Sequence, residues 1–109
     1  MNIYIIPEVK EYLNNHVAIL YEKEYFGFED AAIKYVDEQL DDIIANLPTK
    51  QHKPAPKHFN KYGKGMYYAR FRKNRQTTWY AFFSKYMEKK ETFYVIRYIA
   101  NNHTVAQYL

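Results

Sequence analysis

Two arginines stand two residues apart in Tyr68-Ala69-Arg70-Phe71-Arg72, so a strand over this segment sets both guanidinium groups on one face beside Tyr68. A guanidinium is planar and permanently charged, and it grips phosphate oxygens through paired N–H bonds. A solvated pair on an exposed sheet face fits the same spacing. His103 follows Asn101-Asn102, and histidine is the side chain that carries protons near neutrality; an ordinary surface position suits it equally. Tyr108 offers either a phenolic acid or an apolar anchor for the last residues. Lys57, Lys61 and Lys64, interleaved with Phe59 and Tyr62, fit a loop that tracks phosphates and stacks bases, or a plain solvated loop. Arg75 adds a cation in the turn after Arg72. Arg97, inside an apolar run, is a further catalytic candidate or the partner of a helix carboxylate.

Composition narrows the chemistry. The 109 residues include no cysteine, which removes thiolate nucleophiles, disulfides and cysteine-held zinc or iron–sulfur centres. Only three glycines are present, and none forms a phosphate-cradling GxxxxGK[ST] or GxGxxG loop. The four histidines are dispersed and the carboxylates lie mostly in the other half of the chain, so neither a metal nor a cofactor is expected. No long uncharged apolar run occurs, and Met1-Asn2-Ile3-Tyr4 lacks the basic start of a signal peptide. These features predict a cytoplasmic protein with no membrane partner, folded as one domain over 1–109. The net charge of +4 is unevenly spread: residues 1–48 sum to −7 and residues 49–109 to +11. Such segregation concentrates positive potential on one part of the surface and favours a polyanionic partner.

The elements that must position these residues follow from periodicity. Ile3-Tyr4-Ile5-Ile6 is a β-branched run stopped by Pro7. Val9, Tyr12, Leu13, Val17, Leu20 and Tyr21 recur at helical spacing, predicting a helix from 7 to about 24 with a break at Gly27. A second helix carries Glu29 and Asp30 at its start, an apolar stripe through Ala32, Tyr35, Val36, Leu40, Ile43, Ile44 and Leu47, and Pro48 at its end. Residues 49–65 show no period and predict a basic loop. Three aromatic-rich strands over 66–72, 78–86 and 92–100 are joined by polar turns. The expected fold is α+β, in the order β-α-α-β-β-β, with a helical hairpin packed on one face of a small antiparallel sheet. Tyr67, Ala69 and Phe71 should lie beneath the helices, leaving Arg70 and Arg72 on the open face.

This order resembles the RelE/ParE toxin superfamily. So do Leu47-Pro48 at the end of the hairpin, Tyr68-Ala69-Arg70-Phe71-Arg72, Trp79-Tyr80-Ala81-Phe82-Phe83, and Phe93-Tyr94-Val95-Ile96-Arg97-Tyr98-Ile99 followed by His103 and Tyr108. The resemblance covers nearly the whole chain. It implies the toxin of a bacterial toxin–antitoxin pair, silenced by a cognate antitoxin. One branch cleaves mRNA on the ribosome without metal, using strand arginines matched here by Arg70 and Arg72 and a terminal His and Tyr matched by His103 and Tyr108. The other branch poisons DNA gyrase; a non-catalytic RNA- or partner-binding domain is a third possibility. Many members carry an arginine at the start of the third strand, where this chain reads Thr77-Thr78-Trp79 and the nearest cation is Arg75.

Overall fold

The computed structural model describes residues 2–22 and 29–109, with the side chains of residues 16–22, 29 and 30 left aside. Strand β1 (Asn2–Ile5) runs into Pro7, whose fixed φ and missing N–H suit the first turn of α1 (Pro7–Glu22). Helix α2 (Glu29–Asn46) passes into a 3-10 turn at Leu47–Thr49 containing Pro48. The expected break at Gly27, the packing of Val17, Leu20 and Tyr21, and the side chains of Glu29 and Asp30 lie outside the described residues. The remaining elements are β2 (Lys53–Pro54), β3 (Tyr67–Arg72), β4 (Thr78–Glu88), β5 (Glu91–Asn101) and α3 (Asn102–Val105).

One five-stranded sheet has the order β1-β5-β4-β3-β2. The α+β class and the helices on one face agree with the sequence. The sheet is mixed, however, and not antiparallel: β1 lies parallel to β5, with Ile3 opposite Tyr94 and Ile5 opposite Ile96. The helices carry the chain from β1 to β2 at the opposite edge, and the antiparallel β3-β4-β5 meander then brings β5 back beside β1, running in the same direction. The order also gains β2 and α3. Lys53 and Pro54 pair with Tyr68 and Tyr67, so the segment expected as loop supplies an edge strand of two residues.

Alternation along β3 places side chains as expected. Ala69 and Phe71 are fully buried with Val9, Leu13, Val36, Ile43 and Leu47 from the helical layer, and Tyr67 packs at the edge of this core. Arg70 and Arg72 point the other way and are exposed. That second face is less open than the alternation predicts. A 3-10 turn at Lys57–Lys61 and the C-terminal segment fold over it, building a smaller core of Phe59, Met66, Tyr80, Phe82, Ala100 and Val105. Phe59 is 1% exposed and stacks on Phe82 at 4.2 Å. Burying a phenylalanine outweighs the solvation of the lysines beside it, because their charged heads remain in water while the ring does not.

Candidate nucleic-acid interface

The cover stops short of one end of the sheet, and there the cations gather. Arg70 stands opposite Tyr80, and Arg72 opposite Thr78. With Lys50, Gln51, Lys53, Tyr68, Arg75 and Thr78 they line a cavity of about 440 Å³. Five of these eight residues are cationic and none is a carboxylate. Each comes from a different local cause. Lys50 leaves the 3-10 turn set by Pro48 and lies with its Nζ 5.2 Å from the centre of the Phe71 ring. Lys53 is fixed by the β2–β3 ladder. Arg72 donates from Nε to the Asn74 carbonyl at 3.3 Å.

Arg75 is held through its turn. Asn74 Oδ1 accepts from the backbone N–H of Gln76 and of Thr77, both at 2.9 Å, and the Lys73 N–H donates to the Thr77 carbonyl. This is an asparagine-organised turn, in which the side chain substitutes for backbone acceptors. Asn102 then ties the turn to the end of β5. Its Oδ1 accepts from the Thr78 N–H at 3.0 Å and its Nδ2 donates to the Gln76 carbonyl at 3.1 Å. Like charges held together in this way repel one another until an anion occupies the space between them.

The sequence-derived candidates divide into separate places. Arg70, Arg72 and Arg75 meet in the cavity. His103 sits in the first turn of α3, next to Asn102, exposed and outside the cavity lining; its N–H is capped by Asn101 Oδ1. Tyr108 lies flat on the His58 ring at 3.5 Å, the planes 6° apart, so the two pin the C-terminal segment to the 57–61 turn. Lys57, Lys61 and Lys64 are exposed and none of them lines that cavity, and Lys61 lies over the Tyr62 ring. Tyr62 itself stacks on Tyr98 at 4.0 Å, so Phe59 and Tyr62 are committed to packing within the chain. Lys50, Lys53 and Tyr68 of the cavity, and the organisers Asn74 and Asn102, are site residues that the sequence reasoning above misses. The asparagines at 74 and 101–102, residues that favour turns, are the signal that points to the two organisers.

Arg97 occupies a β-bulge. Phe82 faces Tyr98 while Phe83 faces Ile96, so Arg97 is the extra residue and joins Tyr98 on the covered face. Its Nε donates to Ser84 Oγ at 2.9 Å and its Nη2 to Tyr86 Oη at 3.1 Å. Among the described residues those hydroxyls, and not a helix carboxylate, are its hydrogen-bond partners. The bond from Arg97, aided by one from Ser84, lowers the Tyr86 phenol below its ordinary range. Burial first, then the neighbouring Tyr62, raise Tyr12 and Tyr98. A Cβ at Gly63 would approach Arg97 Cδ to 2.9 Å, so any other residue there displaces the arginine side chain.

Among the described residues no group of three metal-ligating side chains comes together, and no helix is long and apolar enough to cross a membrane. No protein-family model, curated protein or solved structure matches the chain.

Proposed function

We propose that the chain is a RelE/ParE-like toxin that grips the RNA backbone in its basic cavity and cleaves mRNA on the bacterial ribosome. The observation that carries this reading is the convergence of Arg70, Arg72, Arg75, Lys50 and Lys53 on one cavity free of carboxylates. In cleavage by a neighbouring 2′-hydroxyl, charge accumulates on the non-bridging phosphate oxygens, and guanidinium donors set beforehand stabilise that charge without reorganisation. The reaction also needs removal of the 2′-hydroxyl proton by a base and delivery of a proton to the leaving 5′-oxygen; His103, next to the Asn102 that is hydrogen-bonded to the cavity residue Thr78, is the group assigned to proton transfer. The resemblance supplies the metal-independent character, the cytoplasmic setting and a cognate antitoxin, whose acidic segment would cover the same cavity.

A second reading, a gyrase-directed or otherwise non-catalytic toxin, draws on the position of Tyr108, which is stacked on His58 and away from the arginines. One experiment separates the two. Translating ribosomes carrying a defined mRNA are mixed with wild type, His103→Ala and the Arg70→Ala/Arg72→Ala pair, and primer extension maps the cuts. Cuts by wild type that are lost in the arginine pair support RNA cleavage. Absence of cuts together with inhibition of gyrase supercoiling supports the second reading.

A further inference from the structure

The 57–61 turn and the C-terminal segment leave the other end of the same sheet face uncovered, and there three strands set aromatic rings side by side. Tyr86 of β4 stands opposite Phe93 of β5, and Tyr4 of β1 stacks with Phe93 at 6.4 Å, the planes 17° apart. Val95 lies between them, opposite Ser84 on one side and Tyr4 on the other. Tyr4 is 57% exposed and Tyr86 50%. Met87 is more exposed still, but alternation turns it to the opposite face. Arg97 borders the row. Its bonds to Ser84 and Tyr86 fix the guanidinium and leave it further N–H donors. Among the described residues no carboxylate forms an ion pair with this half-buried cation. Glu88 and Glu91 face each other at the hairpin tip, where Glu91 accepts from Asn2, and Lys85, Lys89 and Lys90 outnumber them.

We propose that Tyr4, Phe93 and Tyr86, with Arg97 at their margin, form a stacking platform for single-stranded RNA, in which bases lie on the rings and a phosphate meets the guanidinium. An apolar protein surface would satisfy the rings and leave Arg97 without an anion. A nucleotide satisfies both, because every base has a π-face and every linkage carries a negative charge. A sheet face is a suitable floor, since neighbouring strands present rings at one level. The platform is separate from the basic cavity: Thr78 and Tyr86 stand about 27 Å apart along β4 at a rise of about 3.4 Å per residue. The inference goes beyond the cleavage reading, as binding here involves no reaction.

The test uses the full chain and a short 2′-O-methyl oligouridylate carrying one 2-aminopurine, whose fluorescence is quenched when it stacks; the methylated 2′-oxygen prevents cleavage. Wild type should bind and quench. Tyr4→Ser and Tyr86→Ser should each weaken binding about fivefold or more, the lower end for loss of one base–ring stack, and relieve the quenching. Tyr86→Phe keeps the ring and should bind as wild type does, as should Met87→Ser on the opposite face. Arg97→Gln should make the slope of log affinity against log salt shallower by about 0.7, the value for one phosphate contact on a single strand, whereas the tyrosine variants leave that slope unchanged. Urea midpoints show that each variant is folded. Equal binding by wild type and the Tyr4→Ser/Tyr86→Ser pair, with loss only in Arg70→Ala/Arg72→Ala, overturns the platform and leaves the cavity as the RNA site. No binding by wild type overturns it as well. Tyrosine-dependent binding by a protein that cuts no mRNA on ribosomes upholds the platform and sinks the cleavage reading instead.

Discussion

Asn102 Oδ1 accepts a hydrogen bond from the backbone N–H of Thr78 at 3.0 Å, and this single contact joins the start of α3 to the rim of the basic cavity. Through its Nδ2 the same side chain holds the Gln76 carbonyl, so the Arg75 turn and the His103 turn are set relative to one another. Asn102→Ala removes both bonds at a cost of about 1–3 kcal/mol in stability, since each is worth about 0.5–1.5 kcal/mol net. If cleavage depends on this alignment, activity should fall by a larger factor than stability in the same variant. Urea midpoints and primer-extension yields measured side by side give the comparison, and a loss of activity no greater than the loss of folded protein refutes the alignment role.

Arg70 and Arg72 are exposed on the sheet, so their removal should leave the fold intact while stripping donors from the proposed phosphate site. Each Arg→Ala change should reduce cleavage by about 10²–10³, the loss typical of one transition-state donor. Thermal unfolding should move little, because exposed substitutions usually change stability by within about 0.5 kcal/mol. Full cleavage by the double variant would remove both residues from the mechanism.

Phe59 is a packing residue in spite of its lysine-rich surroundings. Phe59→Ala should destabilise by about 3–5 kcal/mol, the usual range for deleting a fully buried aromatic ring. Its stacking on Phe82 and its edge contact with Tyr108 mean that the C-terminal segment should loosen with it. Amide exchange over 102–109, compared with β5, reads this out; unchanged protection in the C-terminal segment would show that it is held independently of Phe59.

The helix face of the sheet was legible because its signal is local. Alternation in Tyr67-Tyr68-Ala69-Arg70-Phe71-Arg72 decides which residues go under the helices, and the cost of burying arginines decides the sign. The second core was not legible, because Phe59 lies among lysines and prolines and its partners Phe82 and Tyr98 are far away in sequence. The parallel pairing of β1 was equally hidden: four β-branched and aromatic residues name a strand without naming its neighbour. Arg70, Arg72 and Arg75 could be nominated from type and spacing. Lys50 and Lys53 could not, since their place in the cavity comes from the β2–β3 pairing and from the contacts of the His52 ring with the Leu47 carbonyl and Lys85.

Three tyrosines should titrate away from the ordinary phenol range. Tyr86 should ionise early, its phenolate held by the Arg97 and Ser84 hydrogen bonds, whereas Tyr12 and Tyr98 should ionise late because burial disfavours the phenolate. The late pair links to stability. Above pH about 10, the ordinary tyrosine value, the unfolded chain sheds protons that the folded chain keeps at these two sites. Their contribution is therefore complete below that pH and declines as the pH rises through it. Tyr98→Phe removes one such group and should make the decline shallower, while Arg97→Gln should delay ionisation of Tyr86. Tyrosinate absorbance near neutral-to-alkaline pH, taken with urea midpoints across the same range, tests both statements. If Arg97→Gln leaves the first tyrosine step in place, the Arg97–Tyr86 bond does not hold the phenolate, and if Tyr98→Phe follows the wild-type decline, Tyr98 is not the group that couples folding to alkaline pH.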